Sequence, residues 1–341
     1  MVDLRSDTVT APSQAMRQAM AQAGVGDDVF GEDPTVIEMQ EEVARLLGKE
    51  AGLFVPSGTM SNQIAIKAHT QPGDEVICEA GAHIMNYEAG GPAFHSQVQL
   101  NPIQGRLGVF TAQQVEAVIR PRNVHVPPTR LITIENTHNQ AGGTIFPLEE
   151  VHRIADVARA HDLRMHLDGA RLMNAVVATG IPADEWAAPF DSVSLCLSKG
   201  LGAPVGSVLC GGRKFIQGAH RYRKLFGGGM RQVGIIAAGA LYAIRNHVDD
   251  LARDHQRARR LAEVLSQLSG ISINPEEVHT NIVMFGVDEP KGTGEEIEEQ
   301  LRRKGLLCLP LAKQRIRLVT HRDLSDDDIN NAIHTLQKVL G

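Results

Sequence analysis

Two residues in the middle of the chain could together carry covalent chemistry. Lys199 follows one apolar run, in Ser-Lys-Gly-Leu-Gly, and Asp168 ends another, in Asp-Gly-Ala-Arg. A lysine amine can hold the aldehyde of pyridoxal phosphate as a Schiff base, and a carboxylate beside the pyridine nitrogen keeps that nitrogen protonated, so the ring draws in electrons. The pair therefore indicates pyridoxal phosphate as a cofactor. Taken singly, Asp168 also fits a helix N-cap and Lys199 a solvated loop lysine.

A site for the phosphate of such a cofactor is predicted at Ser57, Gly58 and Thr59. These residues precede a run with helical periodicity, so their hydroxyls and unpaired backbone N–H groups could bind a dianion. A plain N-cap remains the alternative interpretation.

Further candidates surround this pair. Arg171, three residues after Asp168, could bind the phenolate oxygen of the cofactor or a substrate carboxylate, and a surface ion pair is the alternative. His83 could stack on the ring or act as a base. Arg315 and Arg317 alternate with apolar residues on a predicted strand, so both lie on one face, where one could bind a carboxylate. The glycine-rich turn before Arg231 offers another cation.

The elements that must position these residues form two groups. Residues 50 to 212 alternate short apolar runs with helix-periodic segments, which is typical of βαβ units around a mostly parallel sheet. Glu135, Asp168 and Lys199 lie at the carboxyl ends of such runs, where ligands bind in open α/β sheets. The last hundred residues predict a smaller α+β domain. Predicted strands are 130–135, 163–167, 192–197, 205–210, 281–287 and 315–319.

The composition limits the classes of partner that the chain is expected to bind. The 341 residues include 34 basic and 40 acidic ones, for a net charge of −6, and no basic cluster indicates a nucleic-acid surface. The four cysteines lack metal-ligand spacing and are interpreted as reduced core thiols, so no metal site is predicted. The sequence has no signal-peptide pattern and no apolar stretch long enough for a membrane span, which favours a cytoplasmic enzyme acting on a small molecule.

In combination, several motifs resemble those of the L-threonine aldolases, closest to the low-specificity and L-allo-threonine aldolases. The resemblance spans nearly the whole chain and implies the aspartate aminotransferase type of fold, which is fold type I of the pyridoxal phosphate enzymes. The expected division is an N-terminal arm (1–20), a large cofactor-binding α/β domain (21–244) and a small C-terminal α+β domain (245–341). The matching motifs are 3–10, 25–28, 135–139, 166–171, 197–202, 227–232 and 317–321.

The resemblance also implies roles for individual residues. It makes Lys199 the Schiff-base lysine, Asp168 the partner of the pyridine nitrogen, His83 the residue stacked on the ring, and Ser57, Gly58 and Thr59 the phosphate cup. Ser6, Arg171 and Arg317 would bind the substrate carboxylate, with Tyr87 also in the substrate site. His125 would contact the β-hydroxyl, and Arg231 would reach the phosphate from a neighbouring subunit. A homotetramer, built as a dimer of dimers with active sites at the subunit interface, is therefore expected.

The reaction implied is retro-aldol cleavage of L-threonine or L-allo-threonine to glycine and acetaldehyde. One departure from the family pattern is Val126, where an aromatic residue often follows the second histidine, so the pocket around the hydroxyl is expected to differ. Two alternatives share some of these residues. One is another fold type I lyase or transferase, resembling serine hydroxymethyltransferase or a β-eliminating enzyme. The other is a nucleotide-binding α/β protein without catalysis, although no GxGxxG or GxxxxGK[ST] motif occurs.

Overall fold

A seven-stranded sheet forms the centre of the larger part of the chain, and the computed structural model describes all residues from Met1 to Gly341. The strand order is β2-β8-β7-β6-β5-β3-β4. Only β8 runs antiparallel to its neighbours, so the expectation of a mostly parallel sheet is confirmed. The strands are β2 (Ala51–Val55), β3 (Glu75–Glu79), β4 (Gln99–Ile103), β5 (Thr129–Glu135), β6 (Arg164–Gly169), β7 (Ser192–Cys196) and β8 (Ser207–Gly211).

Helices cover both faces of this sheet and thereby bury almost all residues of β3, β5, β6, β7 and β8. The largest apolar cluster, with 41 buried residues, joins the sheet to the helices that pack on it. Helix α6 begins after Pro147 and buries the face that carries Val151, Ile154 and Ala158. The helices are α1 (Gln14–Ala21), α2 (Pro34–Leu46), α3 (Gly58–His69), α4 (His83–Asn86), α5 (Ala112–Val118), α6 (Leu148–Ala160), α7 (Leu172–Thr179), α8 (Ala183–Ala187), α9 (Arg213–Leu225) and α10 (Gly234–Asn246).

The C-terminal part has a separate antiparallel sheet and its own core of 20 buried residues. A capping box of Ser325 and Asp328 starts the last helix, and both reciprocal hydrogen bonds are present. The sheet order is β12-β13-β10-β9. The elements are α11 (Leu251–Leu265), β9 (Ile271–Ser272), β10 (Ile282–Val287), α12 (Gly294–Arg303), β11 (Leu306–Leu307), β12 (Leu309–Ala312), β13 (Arg315–Val319) and α13 (Asp326–Leu340).

The first residues of the chain pack against the C-terminal part. Strand β1 (Val2–Asp3) pairs in parallel with β11, and Val2 and Leu4 belong to the apolar core of that part. This pairing directs the following residues, from Arg5 to Thr10, towards the ends of the large sheet.

The fold class therefore matches the expectation of an α/β protein with a large, mostly parallel sheet and a smaller α+β part. All four cysteines are buried and unpaired, as predicted. Burial raises the pKa of the Cys78 thiol to about 12, so this thiol stays protonated near neutral pH. Among the helices, none combines the length and the apolar character needed to cross a membrane.

Candidate active site

A cavity of about 170 Å³ lies at the carboxyl ends of the central strands. Asp168 is at the end of β6, opposite Glu135 of β5, and Lys199 lies in the loop that follows β7. The start of α3 closes another side. Seven residues singled out from the sequence line this cavity together with Asn62 and Asn139, which were not singled out. The seven are Ser57, Gly58, Thr59, His83, Glu135, Asp168 and Lys199.

Asp168 accepts hydrogen bonds only from neutral donors. The Asn62 amide donates to Oδ2 over 2.8 Å, and the Ala170 backbone N–H donates to Oδ1 over 3.1 Å. The side chain is buried and takes part in none of the ion pairs of the chain. A buried carboxylate without a cationic partner is suited to pair with a protonated ring nitrogen of a ligand.

The Asn62 amide is in turn oriented by a buried histidine. Its nitrogen faces two carboxylates, on Asp168 and Glu88, so its oxygen must face His166, whose Nε2 lies 3.0 Å away. Burial lowers the pKa of His166 to about 4, and the ring is therefore neutral at pH 7 with its proton on Nε2. The remaining nitrogen, Nδ1, then accepts from the Ser192 hydroxyl over 2.8 Å.

His83 enters the cavity from the first turn of α4. Its backbone N–H donates to Glu135 Oε2 over 2.7 Å, and its Nδ1 lies 2.9 Å from Glu88 Oε1. Burial alone would lower the pKa of His83, but the hydrogen bond to Glu88 and the charges of the nearby carboxylates, Asp168 among them, raise it overall. The ring nitrogen Nε2 has no partner within the chain.

The ligand atoms of His83, Glu88 and Asp168 lie within 4.8 Å of one another, a spacing that a metal ion could use. The Asn62 nitrogen, however, donates to both carboxylates at 2.8 Å. An N–H donor thus already occupies one lone pair of each of these oxygens, which favours hydrogen bonding over coordination of a cation here.

The start of α3 has the form of an anion site. Ser57 caps the helix, since its Oγ accepts from the Met60 N–H over 3.1 Å, as the alternative reading of the sequence allowed. The backbone N–H groups of Gly58 and Thr59 have no acceptor in the chain and border the cavity. A Cβ at Gly58 would lie 2.5 Å from the Cys196 sulfur, so only glycine fits here. The free N–H groups of this twelve-residue helix can therefore bind a phosphate.

Two buried arginines point at the same neutral oxygen beside the cavity. Nitrogens of Arg171 and Arg317 donate to Asn139 Oδ1 over 3.3 and 3.1 Å. The rest of the Arg171 guanidinium forms a two-pronged ion pair with Asp7, at 2.7 and 2.6 Å. Arg171 therefore keeps only one nitrogen for a substrate.

Arg317 has no anionic partner. Apart from Asn139, it donates to the Arg5 carbonyl over 3.2 Å, and its buried Nε has no acceptor. Burial and the positive charge of Arg171 lower the pKa of Arg317. A buried guanidinium left without a carboxylate is a place where an anionic ligand would be bound strongly. The contact with Arg5 also brings the neighbouring Ser6 close to Arg317, although the Ser6 hydroxyl is bonded to Thr8.

Besides Arg171, Arg317 and Ser6, three more of the predicted site residues do not line the cavity in the single chain. His125 is exposed, in the loop before β5. Arg231 is exposed and pairs with Asp27 over 3.1 Å. Tyr87 is 49% exposed, and its ring centre lies 5.8 Å from that of His83.

Sequence reasoning assigned no role to four residues that shape the site. Asn62 follows Gly58 by one helical turn, so the polar run Ser-Asn-Gln on a helix with a buried face was a usable signal. Glu88 directly follows Tyr87, but no pattern in the sequence marks it as a partner of His83. The contacts of Asp7 and Asn139 with the arginines had no such local signal.

The donor set fits pyridoxal phosphate. A lysine amine, an unpaired carboxylate, free N–H groups at a helix start and an imidazole all face one small cavity. These are the groups required for its aldehyde, ring nitrogen, phosphate and ring face, respectively.

Comparisons with known proteins agree. Residues 3–289 match the model of a family described as beta-eliminating lyase. The chain is 42% identical over 330 residues to the low specificity L-threonine aldolase of Escherichia coli K12, covering 96% of each chain. It is also 42% identical over 344 residues to low-specificity L-threonine aldolase 1 of Arabidopsis thaliana, covering 99% of this chain and 96% of that one.

Among solved structures, the threonine aldolase of Leishmania major superposes with a TM-score of 0.83. The match covers 100% of both chains at 19% sequence identity. This likeness supports the fold, while the sequence relatives carry the similarity of the site.

Proposed function

The chain belongs to the L-threonine aldolases within the beta-eliminating lyase family, and from this membership we propose that it cleaves L-threonine and L-allo-threonine to glycine and acetaldehyde. Other L-β-hydroxy-α-amino acids would be split in the same way, each giving glycine and its own aldehyde. Its fold is fold type I, its cofactor is pyridoxal phosphate and its reaction is that of a carbon–carbon lyase. The observation that carries the proposal is the convergence of Lys199 and Asp168 on one cavity.

Each group of the cavity has a part in holding the cofactor. Lys199 binds the aldehyde, Asp168 holds the ring nitrogen protonated, and His83 covers the ring. Ser57, Gly58 and Thr59 take the phosphate, and the phosphate is also reached by Arg231 of a second copy. The chemistry that pyridoxal phosphate supplies when bound is an electron sink for the pair of electrons left on Cα.

The substrate carboxylate binds where Arg317 lacks an anion. It accepts from the Nη1 atoms of Arg317 and Arg171, at the position of the Asn139 oxygen to which both atoms now donate. Ser6 lies beside this position. Fixing the carboxylate orients the Cα–Cβ bond for cleavage.

Proton transfer at the β-hydroxyl needs a base at the other end of the substrate. His83 and His125 are the two candidates. As the O–H proton passes to the base, the Cα–Cβ bond breaks, the C=O bond of acetaldehyde forms, and Cα then takes up a proton to give glycine. Tyr87, next to His83, borders the same end.

Because His125 and Arg231 lie outside the cavity of their own chain, we assign them to the sites of neighbouring copies in a homotetramer. Exposed apolar side chains support an interface between copies, with Phe94 82% and Val124 96% exposed. The enzyme is assigned to the cytoplasm.

The test is an absorbance scan of the purified protein, followed by aldehyde and glycine detection with the four stereoisomers of threonine. We expect a visible band of bound cofactor and acetaldehyde from the two L-isomers only. Lys199→Ala should lose both the band and turnover.

Three outcomes would contradict the proposal. Full activity of Lys199→Ala would exclude the cofactor assignment. Pyruvate and ammonia from serine without acetaldehyde from threonine would favour a β-eliminating enzyme. A protein that stays colourless with added pyridoxal phosphate would favour a non-catalytic binding protein.

A further inference from the structure

Glu88 is a fully buried carboxylate that receives three hydrogen bonds, all from neutral donors or an imidazole. Asn62 and His83 Nδ1 approach Oε1 at 2.8 and 2.9 Å, and the Gln63 amide donates to Oε2. The side chain is 0% exposed and borders no solvent. Burial raises the pKa of Glu88, and the hydrogen bonds from His83, Asn62 and Gln63 counteract this effect by stabilising the charged carboxylate.

This arrangement fixes the proton on the inner nitrogen of His83. The Asn62 and Gln63 amides can turn their N–H groups towards Glu88 because a carboxylate only accepts. Gly91 packs against the Gln63 amide, where any Cβ would come within 2.6 Å of its carbon, and thereby holds that amide in place. With Glu88 as the acceptor, His83 must carry hydrogen on Nδ1, and its Nε2 is left as the only free ring nitrogen.

We propose that Glu88 is the positioning residue of His83, which selects the Nδ1–H form and holds the ring so that Nε2 is the atom that exchanges protons in the cavity. The inference rests on the proposed function and deepens it by assigning the supporting group of one of the two candidate bases. A carboxylate that orients an imidazole in this way also stabilises the imidazolium that forms when Nε2 takes a proton.

Other charged groups face the same histidine and must be counted. Asp168 approaches from the end of β6, Glu135 binds the His83 backbone from the end of β5, and Lys199 borders the cavity from the loop after β7. Only Glu88 touches the ring nitrogens. Loss of its charge should therefore lower the pKa of His83 even though the other two carboxylates remain.

The chain offers a matched control in a second buried pair of the same chemistry. His138 Nε2 lies 3.1 Å from Glu79 Oε2, both side chains are nearly inaccessible, and neither borders the cavity. The charge of Glu135 and the hydrogen bond to Glu79 raise the pKa of His138 against the effect of burial, and Glu88 is the chief group that raises the pKa of His83. Glu79 is not among the charged groups that shift His83.

The experiment follows hydrogen exchange at the C2 position of each histidine by mass spectrometry in the holoenzyme, which gives residue-specific pKa values independently of turnover. In Glu88→Gln the pKa of His83 should fall by about 1 to 3 units, as expected for loss of an opposite charge at contact distance. Glu88→Asp should keep it above the Gln variant. In Glu79→Gln, His138 should shift while His83 stays at its wild-type value.

The kinetic readout separates positioning from mere stability. In Glu88→Gln, kcat for L-threonine should fall about 10- to 100-fold with KM nearly unchanged, because Glu88 does not touch the substrate. The acid limb of the kcat/KM profile should move to lower pH, following the lowered pKa of His83.

An unchanged His83 pKa and an unchanged acid limb in Glu88→Gln would overturn the inference. So would a wild-type His83 pKa at or below its ordinary value of about 6.5, a measurement that needs no variant to fold. If wild-type enzyme released no acetaldehyde, the proposed function would fail. The exchange data would still show whether Glu88 controls the protonation of His83 or is a buried acid without effect on it.

Discussion

At the scale of single residues, the substrate end of the site is defined by what Arg317 lacks. Two nitrogens of Arg171 bind the carboxylate of Asp7. Arg317 is also buried, but it donates only to the oxygen of the Asn139 amide and to the Arg5 carbonyl. A buried guanidinium without an anion is costly unless a ligand completes it. Because only Arg317 lacks an anionic partner, we expect it to provide most of the affinity for the substrate carboxylate and Arg171 to contribute less.

Replacing Arg317 by Ala should raise KM for L-threonine by a factor of roughly 10 to 100, equivalent to about 1.5 to 3 kcal/mol for a lost charge-assisted contact. Steady-state kinetics measure it. Arg315→Ala is the matched control, because Arg315 lies on the same face of β13 but is exposed and donates only to the Gln140 carbonyl. Its KM should stay within about twofold of wild type. Equal effects of both substitutions would remove Arg317 from the carboxylate site.

Several residues of the site could be predicted from sequence because they lie at strand ends. Lys199 and Asp168 follow apolar runs, and parallel strands bring such positions to one edge. The partners of these residues could not be predicted in the same way. Asp7 pairs with Arg171, which lies 164 positions further along the chain. Asn139 accepts hydrogen bonds from Arg171 and Arg317, and these contacts form only after folding.

At the scale of elements, helix α3 supplies two functions from one end. Its first turn offers the unpaired N–H groups of Gly58 and Thr59. In its second turn, the Asn62 amide donates a hydrogen bond to Asp168. The distance between the phosphate cup and the ring partner is therefore set by the helix itself. Any shift of the helix start changes both together.

Gly58→Ala tests this coupling, since the new Cβ would lie 2.5 Å from the Cys196 sulfur. We expect a loss of about 1 to 3 kcal/mol in unfolding free energy from overpacking, together with weaker cofactor binding. Cys196→Ala removes the sulfur, so the double variant should recover part of both losses. Chemical denaturation and cofactor titration of the two single variants and the double variant give the interaction energy. Strict additivity would show that the sulfur is not the obstacle.

Strand and helix positions were predictable where periodicity was strong. The expected strand at 315–319 is β13 as observed, and the other predicted strands differ from the observed ones by one or two residues at an end. The antiparallel direction of β8 and the pairing of β1 with β11 were not predictable, because pairing between distant segments leaves no local pattern.

At the scale of the whole molecule, the N-terminal segment joins the two sheets at the site. Asp7 is fully buried and binds Arg171 after β6, and the Asn281 amide before β10 donates to it over 3.2 Å. Thr10, three residues later, donates to the Lys199 carbonyl over 2.9 Å. The division into segments 1–20, 21–244 and 245–341 remains a proposal, and these contacts show that residues from all three segments meet at Asp7.

Asp7→Asn should therefore destabilise the protein by about 3 to 5 kcal/mol, the usual result of leaving a buried charge without its partner. Burial tends to raise the pKa of Asp7, but the Arg171 charge and hydrogen bonds hold it well below its ordinary range. A lowered folded-state pKa stabilises the fold fully above the unfolded value of about 3.9 and progressively less below it. Denaturation curves should show a constant difference in unfolding free energy between wild type and Asp7→Asn from neutral pH to about pH 5. This difference should narrow at lower pH.

Asp3→Asn, which breaks the exposed pair with Arg5, is the control and should cost less than about 1 kcal/mol. A gap that stays constant to the lowest accessible pH would show that the Asp7 charge does not link the segments.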